Sequence, residues 1–407
     1  MVGAGRAHLT REFRAVLAGQ TVSALGDAIT LTATPLLVLA LTGSGAWMGV
    51  VGALQFLPDL LFSLAAGVLA DRVDRRRLVV AADTGRAVLT MLVPIAHWTG
   101  LPTLGVLVAV TFPVNALRVV SDAGLSSALP QLVGRDNLAR ANSYMEATLS
   151  VPYIVGPAMA GALVASIGAP STLAIDAATF ALSAASFLAV RRTLRAERPA
   201  QMPSWMTDLR DGLRFIRGEP LVRTVIGFWV LTALVTTPLI ATLSYYLTID
   251  RGLGVEVFGF VGSAWSIGYL AGSLLAGRLP GRRLGARLVT AGAAIGVLIV
   301  AIATARSTLV YYPAAALIGS ALAVVVITAS TLRASLTPDA LMGRVGSTSR
   351  TLSLGLQPVA LLGAGALIEL SDGRATLIVL GTAAAAGSLL FVPLRRFRDA
   401  TYAPAEP

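Results

Sequence analysis

Gly67-Val68-Leu69-Ala70-Asp71-Arg72-Val73-Asp74-Arg75-Arg76-Arg77-Leu78 carries six charged side chains in twelve residues, between two long apolar runs. Hydrocarbon does not hold charge at that density, so the stretch reads as a tight turn on a membrane surface, pinned between two spanning helices. A diluted copy, Ala276-Gly277-Arg278-Leu279-Pro280-Gly281-Arg282-Arg283-Leu284, follows 206 residues later when Ala276 is set on Ala70. Half of a 407-residue chain separates the two, which points to a duplicated membrane protein.

Composition agrees. The chain is 55% apolar and 13% charged, against roughly 25% charged for a soluble domain, and its mean hydropathy is +0.76. The net charge of +11 invites a nucleic-acid reading, but the arginines fall in alternate inter-helix loops, the positive-inside pattern, so no nucleic-acid partner is expected. With no cysteine and two histidines, disulfides and cysteine–histidine metal sites are excluded. All 32 basic residues are arginine, so a P-loop lysine is missing and no nucleotide or other cofactor is expected. Energy would come from an ion gradient or a separate subunit.

About twelve apolar segments follow, near 15–41, 46–70, 78–98, 103–129, 144–168, 171–190, 223–249, 256–277, 286–305, 309–334, 351–370 and 374–394. Most reach the roughly 20 residues needed to cross hydrocarbon. The first, too long for a signal-peptide core, reads as retained. The expected fold is an all-α polytopic membrane protein with two pseudo-symmetric six-helix bundles: 1–190, a cytoplasmic linker 191–222, and 223–407 with a cytoplasmic tail. Arg251, Arg306 and Arg374 fall in the outer loops and Arg86 and Arg118 within helices; all other arginines lie on the opposite side, which puts both termini in the cytoplasm. In the linker, Trp205, Met206, Leu209, Leu213 and Ile216 form one stripe, with Asp208, Arg210, Asp211, Arg214 and Arg217 mostly opposite. That pattern predicts an amphipathic helix at the membrane interface.

This architecture, with Gly67, Asp71, Arg72, Arg75 and Arg76 between the second and third helices, resembles the major facilitator superfamily; Asp74 stands where that family commonly has glycine. Leu129-Pro130-Gln131-Leu132-Val133 with Leu138 and Ala141-Asn142, Gly343-Arg344-Val345, and Asp211-Gly212-Leu213-Arg214-Phe215-Ile216 resemble its macrolide-efflux and enterobactin-exporter-like branch. The resemblance implies a secondary transporter that works by alternating access, with the first, fourth, seventh and tenth helices lining a central cavity. Gly156-Pro157 with Gly161 in the fifth segment resembles a helix-bend motif of the family's antiporters.

Charged residues inside spans cost about 2.5–3.5 kcal/mol each on insertion scales and mark function by default. They concentrate in the first half: Asp27, Asp59, Asp83, Arg86, Arg118, Asp122, Glu146 and Asp176. Asp83, Arg86 and Glu146 are placed within two turns of the cytoplasmic end and Asp176 near the outer end, as interfacial or locally paired groups. Asp27, Asp59 and Arg118 fall roughly 16–20 Å from the inner surface at 1.5 Å per residue, where transporters keep their ion and substrate sites. The expectation is that Asp27 takes up and releases a proton under the influence of Arg118, with Asp59 in reserve. Gln20 and Asn115 offer polar contacts to a substrate, and Trp229, Trp265 and Tyr269 aromatic ones.

The expected activity is proton-coupled efflux of a small, largely apolar compound such as an antibiotic or siderophore. The protein would sit in a bacterial inner membrane, with protons, the substrate and membrane lipids as its partners and a monomer sufficing. It would be no enzyme. Uptake of a metabolite by symport, and a receptor or lipid-handling protein that keeps the fold without ion-coupled transport, are the alternatives within the fold; a permease served by a separate ATPase is a further one. For Asp71, at the negative end of its own helix dipole, the expected partner is the start of the eleventh helix, after Ser347-Thr348-Ser349-Arg350, as a latch between bundles.

Overall fold

A computed structural model describes residues 10–134, 137–191, 193–195, 205–279, 281–338 and 341–401. Every regular element among them is helical. Eleven segments are long and apolar enough to cross a membrane, and Gly373–Leu389, 17 residues long, makes a shorter twelfth. The first six spans are single helices: α1 (Arg11–Thr42), α2 (Gly45–Arg72), α3 (Arg75–Thr99), α4 (Thr103–Val133), α5 (Leu138–Ile167) and α6 (Ala169–Leu188). Their ends follow local chemistry. Asp74 caps α3 by accepting from the Arg76 N–H at 3.0 Å, and Gly100, at φ 74°, closes it in the left-handed conformation open to glycine.

The linker helix forms as α7 (Trp205–Gly218). The side chains of Trp205, Met206 and Leu209 lie outside the described residues; the rest of the expected stripe is visible. Instead of lying free at an interface, α7 is docked on protein. Ile216 is buried with Val222, Ile226 and Val345, Asp211 accepts from Arg344 Nη1 at 3.1 Å, and a Cβ on Gly212 would collide with the Arg344 carbonyl and the Thr348 hydroxyl.

The seventh span is broken into α8 (Pro220–Thr236), α9 (Leu239–Tyr245) and a π-helical turn, Tyr246–Asp250. Pro238, with no N–H to donate, sits at the break. Then come α10 (Val255–Ala276), α11 (Leu284–Thr304), α12 (Tyr311–Ser335), α13 (Met342–Leu370), α14 (Gly373–Leu389) and a short α15 (Arg395–Arg398). The eleventh span begins at Met342 rather than near 351. The polar run after Met342 fits within the helix because its serine hydroxyls are satisfied there: Ser349 Oγ donates to the Val345 carbonyl and Ser353 Oγ to that of Ser349. The N–H groups of residues 347–350 therefore lie inside the helix, where i−4 carbonyls accept them, so the anion receptor expected for Asp71 is not at that place.

The chain forms two compact units. The first holds residues 1–37 and 57–201, the second 38–56 and 202–407. At one end of the first unit, Phe13, Val16, Val79, Leu129, Leu132 and Phe187 bury one another. Within the second unit, helices meet at small residues: a Cβ on Gly268 would collide with the Ala316 carbonyl, on Gly319 with that of Trp265, and on Gly296 with that of Gly381. Segment 38–56 joins this unit through Gly49, whose Cα lies beneath Gly365, and through Ser44, which donates to Glu369 at 2.8 Å.

Candidate functional site

Asp27 is placed by close packing of α1. One residue before it, a Cβ on Gly26 would meet Thr179 and Asp176 of α6; one residue after it, Ala28 lies against Gly156 of α5, where an added Cβ would sit 2.6 Å from that of Ala28. This is the role the structure gives Gly156 of the helix-bend motif. α5 stays helical through Pro152 and Pro157, and Gly161 is buried beyond it.

Held this way, Asp27 accepts from Arg86 Nη2 at 2.5 Å. Arg86 is the centre of the site. Its Nη1 lies 3.7 Å from Asp83, its guanidinium carbon stands 3.8 Å from the centre of the Phe180 ring, and its Nε is buried with no hydrogen-bond partner among the described residues. Asp83 accepts from Ser121 Oγ at 2.7 Å and Ser183 Oγ at 2.6 Å, and Gln20 Nε2 donates to the same Ser183 at 2.9 Å. Asp176 accepts from Thr30 at 2.6 Å and Thr179 at 3.2 Å. The network thus ties α1, α3, α4 and α6. Stripping a guanidinium of water costs several kcal/mol, which two carboxylates and a ring face offset. Arg86 and Asp83 expose 5% and 1% of their side chains, Asp27 38%. One carboxylate of the network is therefore open to exchange with its surroundings while the guanidinium is not.

A second cluster surrounds Arg118 on α4. Its Nη2 donates to Asp59 of α2, its Nη1 to Asp122 at 3.3 Å, and its Nε to Asn115 at 3.4 Å. Asn115 spends its amide on the Thr111 carbonyl.

The expected pairing of Asp27 with Arg118 is replaced by two pairs, Asp27 with Arg86 and Asp59 with Arg118. Residue counting fixes height along a helix and says nothing about rotation, which decides the neighbours. Arg86 also lies deeper than its distance from the first apolar residues of the third segment suggests. α3 begins at Arg75, so Arg86 stands eleven residues in, roughly 16 Å from that end. A signal for the site was present in the sequence: Asp176, Thr179, Phe180 and Ser183 follow i, i+3, i+4, i+7 spacing, one face of a helix bearing every α6 contact named above.

The opening motif does structural work within the first unit. Asp74, in the place of the family's glycine, is buried as the α3 cap and also accepts from the Leu194 N–H. Arg76 donates to the carbonyls of Phe187 and Leu188 at the end of α6, where a cation suits the helix dipole. Asp71, 43% exposed, pairs with buried Arg75 at 3.4 Å. Arg72 is exposed and Gly67 has open space about it. Trp229 is half-buried on α8; Trp265 and Tyr269 lie one turn apart on α10, half-buried and exposed.

Residues 16–353 match the family model described as Major Facilitator Superfamily. The chain belongs to that superfamily. Its major facilitator relatives include the multidrug efflux pump Tap of Mycolicibacterium fortuitum, 28% identical over 94% of this chain and 96% of that one, and macrolide efflux protein A of Streptococcus pyogenes, 27% identical over 66% of each. The major facilitator fold is matched by the crystal structure of the nucleoside transporter NupG, at TM-score 0.79 and 13% identity over 95% of this chain and 100% of that one. A bacterial homologue of the iron transporter ferroportin matches at TM-score 0.73 and 17% identity, over 95% of this chain and 99% of that one. The protein is a multi-pass membrane transporter with efflux pumps among its relatives, and not an enzyme.

Proposed function

We propose that this transporter exports a small, largely apolar compound, such as an antibiotic or siderophore, in exchange for protons, as a monomer in a bacterial inner membrane with both termini cytoplasmic. The observation that carries the proposal is the Asp27–Arg86 contact: a half-exposed carboxylate on α1 bound to a buried guanidinium on α3 at about mid-depth. A proton arriving at Asp27 removes the charge that holds α1 to Arg86. Arg86 keeps Asp83 and Phe180, so it stays neutralised while α1 is released. Loss of the proton restores the contact. Alternating access needs such an element, whose stability differs between the loaded and unloaded states.

Four carboxyl groups, Asp27, Asp83, Asp59 and Asp122, share the guanidiniums of Arg86 and Arg118, and a fifth, Asp176, is held beside them by Thr30 and Thr179. The surplus of acceptors supports proton handling there. Asp59 with Arg118 is the second station, and Gln20, Asn115, Trp229, Trp265 and Tyr269 are the side chains proposed for substrate contact. In the relatives, export of many drugs or of macrolides is named, which favours a broad apolar substrate range here.

The test is expression in an efflux-deficient bacterium against a panel of antibiotics and siderophores, followed by everted vesicles in which substrate-driven proton movement is recorded with a pH-sensitive dye. Wild type should exchange protons for substrate, and Asp27→Asn should bind substrate without exchange. Wild-type exchange by Asp27→Asn removes Asp27 from the coupling step. Export that survives collapse of the proton gradient but stops on ATP depletion overturns antiport altogether.

A further inference from the structure

The second copy of the opening motif builds a different object from the first. In the first unit the turn has its own carboxylates, Asp71 and Asp74, and each neighbouring arginine but the exposed ones is committed: Arg75 to Asp71, Arg76 to the end of α6. At the offset of 206 residues, Asp71 becomes Gly277 and Asp74 becomes Pro280, whereas Arg76 and Arg77 are kept as Arg282 and Arg283. The scaffold around the turn is kept as well. The Leu194 carbonyl accepts from the Arg75 N–H in the first unit, and the Ala400 carbonyl, 206 positions after it, accepts in the second from the Leu284 N–H, three residues beyond the counterpart of Arg75. The second turn has thus kept Arg278, Arg282, Arg283 and the anchoring carbonyl, and has lost both of its anions and, with Gly281 in place of Arg75, one arginine.

A cavity of about 420 Å³ lies at that place, lined by Arg282, Arg283, Ala286, Arg398, Asp399 and Thr401. Asp399 pairs with Arg398 at 3.4 Å, and Arg282 and Arg283 make no ion pair with any described residue, so two positive charges face the cavity uncompensated. Arg283 holds a left-handed backbone, φ 52°, the one non-glycine residue to do so among those described, a conformation that costs about 1–2 kcal/mol. It precedes α11 and gives it no side-chain cap. The wall on the other side is firm. Phe397 is buried against Phe228 and Phe391, with ring centres 6.1 and 5.7 Å away. In the segment that leads to Arg398, four to nine residues before it, the chain exposes Leu394, Leu390 and Leu389, Leu390 to 76%.

We infer that this cavity binds a phosphate anion, and that its source is the head group of an anionic phospholipid. The phosphate takes the place that Asp74 holds in the first unit, between two arginines and the first turn of a helix, whose N–H groups at Gly285 and Ala286 have no carbonyl within the helix to bond. The exposed leucines that lead to Arg398 take the acyl chains. Free phosphate would use the arginines alone; the apolar run before Arg398 is what selects a lipid. Each basic group near a membrane surface adds about 1 kcal/mol of attraction to anionic lipid, so two uncompensated arginines give a preference of at least about tenfold.

The purified full-length transporter, stripped of lipid and offered equal parts of phosphatidylglycerol and phosphatidylcholine, should retain the former about tenfold over the latter by native mass spectrometry. Arg282→Gln with Arg283→Asn, asparagine being chosen because it tolerates the left-handed backbone, should bring that ratio close to one while leaving the melting temperature in phosphatidylcholine alone unchanged. Ala286→Asp installs a carboxylate within the cavity. It should abolish the preference and raise the melting temperature in phosphatidylcholine, and it decides the matter if the double variant does not fold. Inorganic phosphate that stabilises the protein in phosphatidylcholine as well as phosphatidylglycerol does would keep the anion site and overturn the lipid as its source. An unchanged preference for phosphatidylglycerol in Ala286→Asp overturns the site.

Discussion

In the first unit Arg86 reaches Asp27 on α1, Asp83 on its own helix and the ring of Phe180 on α6; in the second, helices touch at Gly268, Gly296 and Gly319, backbone against backbone. Ionic contacts depend on protonation and can be made and unmade at small cost in shape. Contacts between backbones depend on shape alone and tolerate no added atom. The difference teaches that a single duplicated fold can divide its work, with chemistry concentrated in one unit and rigid packing in the other.

The comparison breaks most decisively at a glycine. Gly319→Val places a branched side chain where even one Cβ collides with the Trp265 carbonyl, and the expected result is loss of folded protein, read as loss of a monodisperse peak on size-exclusion chromatography. Folded, stable Gly319→Val protein would show that the second unit is as adaptable as the first. Next in size is Arg86→Met, which leaves Asp83 buried without its counter-charge; removal of one partner of a buried pair costs about 3–5 kcal/mol. Adding Asp83→Asn to Arg86→Met should recover most of the melting temperature and none of the proton exchange. Recovery of both would make the network a structural staple. A smaller effect is expected from Asp71→Ala, since Arg75 is buried but Asp71 is 43% exposed, so water reaches the place the carboxylate leaves. The melting temperature should fall less than in Arg86→Met, so transport reduced beyond that loss would reveal a gating role for Asp71, and normal transport would confine it to the first unit.

Much of the fold was legible because charge density and apolar run length are properties of sequence alone. Gly67 to Leu78 cannot enter lipid wherever it sits. The start of α13 is hidden because Ser347, Thr348, Ser349 and Arg350 read as a polar loop, whereas the helix accommodates them, with the Ser349 hydroxyl satisfied on its own backbone. At the candidate site, sequence named Asp27 and set it against Arg118, whereas the structure pairs it with Arg86. The choice between Arg86 and Arg118 rests on how α1 is rotated against α5 and α6, which Gly26 and Ala28 decide through contacts far apart in the chain. The linker helix was readable from its stripe, and its docking partner Val345 was not, because docking depends on a helix end that had been misplaced.

Arg86 also has a consequence for timing and bookkeeping of charge. A guanidinium keeps its proton at any pH a cell meets, and this chain has no lysine to offer a softer cation. Every arginine in the spans is therefore a fixed quantity. Apart from the exposed His97 in the last turn of α3, the state of the first unit is then written in its carboxyl groups. A measurement that counts protons on Asp27, Asp59, Asp83, Asp122 and Asp176, by infrared bands of the protonated carboxyl, would read the transport cycle directly, with no competing signal from the bases they surround.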